Sequence, residues 1–473
     1  MLLMHTLPRL RCLSLLQNYK SSFSTNHIIQ IHSQIISNGL TQSPSIVAQL
    51  VERYCASSLS SSSSAPHANN YARLIVSQFY SHDHKSNPYL LNVLIRCAPP
   101  TDSILLFANW VSKATLNFDD FTYIFVLGAC ARRVKALWEG LQIHCRVIKH
   151  GVLSNVKLQT TLIHFYVNHN AFAFAEKVFD EMRVRTSATW NSLIAGYCSQ
   201  IQHARDGLLL FINMLRGDYG VKPNDTTMVC VLSAVSRLGS LETGVSIHGY
   251  IIKTTPNIEN DVYIGTSLVD MYAKCGCLDT ALTLFHKMSY KNVLTYTAMV
   301  SGLAIHGKGK QALKLFTNMT ESGILPNSVT FTSLLFACAQ SGLLNEGLSL
   351  FQIMKEKFHI LPLPHHYGCI VDLLGRIGHL GEAYEFIMSE KVEDDVVLWR
   401  SLMHSCRVHN DIVMGEKVAK TVMNLENYEK SEDFVALSNI CASVGRWEDV
   451  EVVREMMNEK GIETNPAIST IFA

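Results

Sequence analysis

The residues of this sequence that invite chemistry are thiols and imidazoles. Cys275-Gly276-Cys277 sets two thiols one residue apart, a spacing that suggests soft-metal or redox chemistry, and His365-His366 offers two adjacent imidazoles. Hydrolytic deamination by a zinc-activated water needs more: a ligand His and a proton-shuttling Glu as H-x-E, with two thiolates as P-C-x-x-C. None of the 20 histidines begins an H-x-E, and none of the 13 cysteines begins a C-x-x-C. The sequence therefore predicts no catalytic residue, no metal ligand and no cofactor. His365-His366 lacks a second ligand pair nearby, while His32, His144 and His248 recur at equivalent places in different helices, which reads as packing or hydrogen bonding. The scattered cysteines fit a reducing compartment and buried, apolar-behaving thiols, with no structural disulfide.

What positions such residues is set by composition and period. Apolar residues make up 48% of the chain and the mean hydropathy is +0.14, enough for a continuous core. Forty basic against 39 acidic residues leave a formal charge of +1, so no global basic field announces a nucleic-acid partner. No apolar run is long enough to predict a membrane span. Residues 1–26 carry Arg9, Arg11 and Lys20 but no acidic residue, and are rich in leucine and serine, the composition of an organellar transit peptide. Ser57, Ser58 and Ser60 to Ser64 form a low-complexity run expected to be a flexible inserted loop.

The middle of the chain repeats. Ala175, Phe179 and Met182 align with Ala281, Phe285 and Met288, with Ala312, Phe316 and Met319, and with Gly207, Phe211 and Met214. Each triple is spaced i, i+4, i+7, one face of an α-helix. A second short apolar segment precedes each triple, often across a turn with glycine, as at Gly276 or Gly307, where glycine suits the left-handed residue ending a helix. The repeat is thus a pair of antiparallel helices, and a single pair cannot bury its own apolar face, so the pairs must stack as a solenoid. Repeats begin at Asp120, Val156, Ser187, Asp225, Val262, Val293, Ser328 and Pro364. Their unequal lengths group in threes, with a super-period of about 105 residues.

That alternation of long, short and standard repeats resembles the PLS subgroup of the plant pentatricopeptide repeat proteins. "VDMYAKCG" (Val269 to Gly276), "IHCRVIKHG" (Ile143 to Gly151), "YGCIVDLLGR" (Tyr367 to Arg376) and "LSNICASVGRWEDVEVVREMMNEKGI" (Leu437 to Ile462) carry the resemblance. It implies an all-α fold, a right-handed superhelical solenoid of helix-turn-helix repeats. It further implies degenerate N-terminal repeats with the serine-rich loop over 27–87, the PLS array over 88–395, two E-type extension motifs over 396–466, and a tail over 467–473. Many relatives continue into a cytidine-deaminase-like DYW domain; here the sequence ends at "PAISTIFA".

The resemblance also implies a function: sequence-specific binding of single-stranded organellar RNA as the site-recognition factor for C-to-U editing. A DYW-type deaminase would be recruited in trans, further organellar editing factors would assist, and the chain would act as a monomer in the mitochondrion or, alternatively, the chloroplast. In the family the fifth residue of a repeat and its last residue contact the base edge. The implied pairs are Asn92 with Asp119, Thr160 with Thr186, Asn191 with Asn224, Thr266 with Asn292, and Thr297 with Asn327. By the family's rules they favour U, a base with a purine leaning, a pyrimidine, A and A; Ile124 and Val229, at the fifth place of long repeats, read nothing. Lys222, Lys253 and Lys291 are candidates for phosphate contacts. The competing reading of each polar residue is a helix cap or a solvated side chain. Two rival functions remain open on this scaffold: splicing, stabilisation or translation of organellar RNA, and protein binding without RNA.

Overall fold

The computed structural model describes residues 25–59, 71–77, 88–112, 118–217, 220–255, 260–425, 431–443 and 445–459. The transit segment up to residue 24, Ser60 to Ser64 and the tail 467–473 lie outside the described residues. Among those described, every regular element is a helix. The chain divides into two compact units, Met1–Ala234 and Val235–Ala473. The first contains α1 (Thr25–Ser37), α2 (Pro44–Leu59), α3 (Tyr89–Cys97), α4 (Pro100–Ser112), α5 (Asp120–Ala131), α6 (Leu137–Lys149), α7 (Val156–Asn168), α8 (Phe172–Glu181), α9 (Ser187–Ser199) and α10 (Ala204–Arg216). The boundary falls within α11 (Asp225–Leu238). The second unit continues with α12 (Leu241–Thr254), α13 (Val262–Lys274), α14 (Leu278–Lys287), α15 (Val293–Ile305), α16 (Gly309–Glu321), α17 (Ser328–Ser341), α18 (Leu344–Glu356), α19 (Pro364–Ile377), α20 (Leu380–Ser389), α21 (Val396–His409), α22 (Ile412–Leu425), α23 (Ser431–Ser443) and α24 (Trp447–Glu459).

Every repeat start read from the sequence is the first residue of a helix, and at all of them but Pro364 the preceding residue explains why. Asp119, Asn155, Thr186, Asp261, Asn292, Asn327 and Asp395 each accept backbone N–H groups of the following first turn through a side-chain oxygen. Asn224 does the same for Thr227 N–H at 3.1 Å. Such a cap stabilises a helix by about 1 kcal/mol and fixes where it begins. Ser57 and Ser58 depart from the expected loop, since α2 extends through them to Leu59.

Packing then repeats the same contacts. In the first compact unit α5, α7 and α9 lie side by side; in the second, α13, α15, α17, α19, α21 and α23 do. The apolar triples of the second helices are buried: Ala175, Phe179 and Met182, and likewise Ala281, Phe285 and Met288. Their phenylalanines meet an aromatic at the fourth residue of the next repeat. Phe179 faces Trp190 at 4.7 Å between ring centroids, Phe285 faces Tyr296 at 5.2 Å and Phe316 faces Phe331 at 5.6 Å, all edge-on. Each contact pins the start of a first helix and so holds the third and fifth residues on either side of it. First helices approach closely at glycines: a Cβ on Gly196 would lie 1.7 Å from Val167 Cγ1. At the turns Gly276 adopts φ +90°, the left-handed conformation the sequence predicts, and Asn170 takes that role in a short repeat with φ 58°.

Candidate nucleic-acid interface

All five polar pairs come together at the mouths of first helices, three in the first compact unit and two in the second. Asn92 Nδ2 donates to Asp119 Oδ1 at 2.9 Å. Asn191 Nδ2 donates to Asn224 Oδ1 at 2.9 Å. The three threonine pairs meet through an intermediary instead. Thr160 Oγ1 lies 3.1 Å from Thr189 Oγ1, which is 3.0 Å from Thr186 Oγ1. Thr266 Oγ1 lies 2.7 Å from Thr295 Oγ1, and Thr295 donates to Asn292 Oδ1 at 3.1 Å. Thr297 Oγ1 lies 2.8 Å from Thr330 Oγ1, and Thr330 donates to Asn327 Oδ1 at 3.0 Å.

The intermediary is a column the sequence reading missed. Thr122, Thr189, Thr227, Thr295 and Thr330 are the third residues of their repeats, and each is fully buried. Its signal was a capping box. The Thr186, Asn292 and Asn327 side chains accept from the third residue's N–H, while that residue's hydroxyl accepts from the cap's own N–H. Capping and the joining of the fifth and last residues therefore belong to one hydrogen-bond network.

The cap also fixes what each last residue shows outward. Only Oδ1 of Asn292 can accept Thr295 N–H, at 3.0 Å, so the amide NH2 is turned away from the helix end. Asn327 is oriented identically by Thr330 N–H at 3.0 Å. Asp119 Oδ1 takes Thr122 N–H and the Thr122 hydroxyl, both at 2.8 Å, which leaves a second carboxylate oxygen where asparagine has its donor. Across from it, buried Asn92 Oδ1 has no hydrogen-bond partner.

The long repeats behave differently. Ile124 and Val229 supply no polar atom, and after the first of them Asn155 commits its NH2 to Asp120 Oδ2 at 2.7 Å. The boundary after the third long repeat replaces the threonine by buried His366, whose Nδ1 accepts Leu363 N–H at 2.8 Å and whose Nε2 donates to Ser328 O at 2.9 Å. Beside the pockets the second residue of a repeat is often apolar and exposed, as in Tyr89, Phe121, Tyr263, Leu294, Val329 and Val397. Such side chains offer flat or aliphatic surfaces next to polar pockets, the combination that unstacked bases need. Of the candidate phosphate contacts, Lys291 turns its ammonium onto Met288 O and the Phe285 ring.

The thiols and imidazoles that opened the sequence have structural places. Cys275 ends α13 and Cys277 precedes α14, on either side of Gly276. Burial, then Cys277 and Asp270, push the Cys275 thiol upward. Among the described residues no three His, Cys, Asp or Glu side chains cluster as metal ligands would. The recurrent histidines bond a tyrosine of the next helix pair: His32 with Tyr71 and His144 with Tyr166, both at 2.6 Å, and His248 with Tyr272 at 2.9 Å. No described helix is long and apolar enough to cross a membrane.

Comparison with known proteins finds the same kind of repeat. The profile described as PPR repeat matches residues 160–186, 188–200, 266–293 and 329–357, the one described as PPR repeat family matches 291–340, and the one described as E motif matches 409–472. A pentatricopeptide repeat-containing protein of Arabidopsis thaliana is 44% identical over 478 residues, covering 98% of this chain and 99% of that protein. The chain belongs to the pentatricopeptide repeat family. With its E motif it is a plant PLS-type pentatricopeptide repeat protein of the E subgroup. Another Arabidopsis thaliana pentatricopeptide repeat protein, named chloroplastic/mitochondrial, is 34% identical and covers 85% of this chain and 64% of its own length. Among solved structures, PPR10 in complex with an 18-nt psaJ RNA element superposes with a TM-score of 0.69 at 16% identity, over 94% of this chain and 66% of that one. At that identity the likeness shows the fold, a pentatricopeptide repeat solenoid.

Proposed function

We propose that this pentatricopeptide repeat protein binds single-stranded RNA sequence-specifically in an organelle and recognises sites of C-to-U editing. The observation that carries the proposal is the recurrence, at five repeat boundaries, of a hydrogen-bonded link between the fifth and last residues, made directly or through the third residue of the next repeat. A protein-binding scaffold has no need for polar pairs at the same two positions of several repeats; a strand of nucleotides does.

The proton inventory supports base reading. A threonine hydroxyl has one proton. Thr297 lies 2.7 Å from Val293 O as well as against Thr330, so its proton stays inside the protein and its free lone pair faces outward. With the Asn327 NH2 beside it, this pocket offers one acceptor and one donor. Adenine presents the complement, an N6–H donor and the N1 acceptor. Thr266 with Asn292 offers the same set. Asn92 with Asp119 offers an amide donor and a carboxylate acceptor, which suits O4 and N3–H of uracil. In chain order the site would read U, an unread base, a purine, a pyrimidine, an unread base, A and A.

The E motif supports editing over other RNA tasks, with a deaminase of the DYW type acting in trans and other editing factors assisting. Relatives named chloroplastic or chloroplastic/mitochondrial support an organelle as the compartment. Sequencing organellar transcripts from plants lacking the protein tests the editing role. Loss of conversion at one or a few cytidines is expected; complete editing alongside a missing spliced product would replace this function with a splicing role.

A further inference from the structure

We propose that the buried third-residue threonine Thr295 is a positioning residue that sets base selectivity in the Thr266/Asn292 pocket without touching the base. The inference deepens, and rests on, the base-reading proposal above.

Thr295 joins the two base-facing side chains. Its Oγ1 accepts Asn292 N–H at 3.3 Å, donates to Asn292 Oδ1 at 3.1 Å, and lies 2.7 Å from Thr266 Oγ1. Its single proton belongs with the amide oxygen, the better acceptor, so the bond with Thr266 has Thr266 as donor. Thr266 is half-buried, and Thr295 is fully buried. Thr295 thereby imposes a proton order across the pocket. The Thr266 hydroxyl points its proton inward and its lone pair outward, while Asn292 keeps its oxygen inward and its NH2 outward.

The neighbouring pocket provides an internal control. Thr330 makes the same box with Asn327 and is equally buried. Its fifth-residue partner Thr297, however, has a second acceptor in Val293 O at 2.7 Å and keeps its proton inward without Thr330. Thr266 forms its side-chain bond with Thr295. Removing the two third-residue hydroxyls should therefore have unequal consequences for selectivity, although the cost to the helix cap is the same.

The test uses the purified full chain, the four RNAs that differ at the nucleotide read by Thr266/Asn292, and the four that differ at the nucleotide read by Thr297/Asn327. Thr295→Val preserves shape and deletes the hydroxyl. Its expected effect is a fall of about tenfold in preference for A over G at the first nucleotide, where a freed Thr266 proton now tolerates O6 of guanine, within the range one base contact carries. Thr295→Ser should restore the preference. Thr330→Val should leave preference at the second nucleotide within about threefold. Thr295→Ala replaces the valine variant if that chain does not fold. Equal weakening for all four bases by Thr295→Val, or equal relaxation by both valine variants, would overturn the inference while leaving base reading intact. A wild-type chain without base preference at either nucleotide would overturn both.

Discussion

Replacing Asn292 by Asp isolates what the last residue of a repeat presents to a base. Aspartate and asparagine cap helices about equally well, and Oδ1 remains available to Thr295 N–H and Oγ1, so stability should change little. What changes is the outward group, from an NH2 donor to a carboxylate acceptor. With Thr266 unchanged, the carboxylate takes the place that faces N1, where it matches N1–H of guanine and meets the N1 lone pair of adenine unfavourably. A well-placed pair of base contacts discriminates by about 1–3 kcal/mol. At about 1.4 kcal/mol per decade that is roughly 5- to 150-fold in Kd, toward A in the native chain and toward G in Asn292→Asp. Fluorescence anisotropy with RNAs differing only at this nucleotide measures it, and circular dichroism confirms that α15 still forms. The Thr297/Asn327 pocket shares no residue with this one, so its preference for A should not move. A folded variant that retains the preference for A would refute the outward NH2, and uniform weakening for every base would refute edge reading at this pocket.

Two further outcomes follow from packing and protonation. Gly196→Ala drives a methyl to 1.7 Å from Val167 Cγ1; overpacking should cost about 1–3 kcal/mol, more than the helix-propensity gain of about 1 kcal/mol. Val167→Ala should recover part of that loss in a double-mutant cycle by denaturant unfolding, and additive single effects would contradict the contact. Burial, then His365, hold the His366 imidazole below its usual range, and the Leu363 N–H bond requires Nδ1 unprotonated. The folded state thus binds fewer protons at this group than the unfolded chain. Its contribution is complete above the unfolded pKa of about 6.5 and is lost as pH falls below it. The Tm of the native chain should drop more steeply than that of His366→Gln between about pH 7.5 and about pH 5.5; parallel slopes would exclude His366 as the source.

The sequence made the frame legible because caps and frame coincide. Asp119, Thr186, Asn292 and Asn327 are recognisable cap residues immediately before apolar periodic segments, so repeat starts could be placed to the residue. The buried triples ending in Met182 and Met288 were legible for the same reason, a clean helical period. The third-residue threonines were not legible as pocket parts. A polar residue in a first turn reads as local capping, and its other partner lies 29 residues away for Thr266 and 33 for Thr297. The tyrosine partners of His144 and His248 were hidden by the same kind of separation. Ser57 and Ser58 read as loop on composition alone, while the helix that begins at Pro44 continues through them.

The most direct measurement is a Kd for the purified chain with an RNA carrying U, any base, a purine, a pyrimidine, any base, A and A in that order, against a scrambled RNA of equal composition, at one fixed salt concentration. The five networks predict at least about tenfold tighter binding to the ordered RNA. Equal affinity for the two would contradict base reading by the pairs from Asn92/Asp119 to Thr297/Asn327.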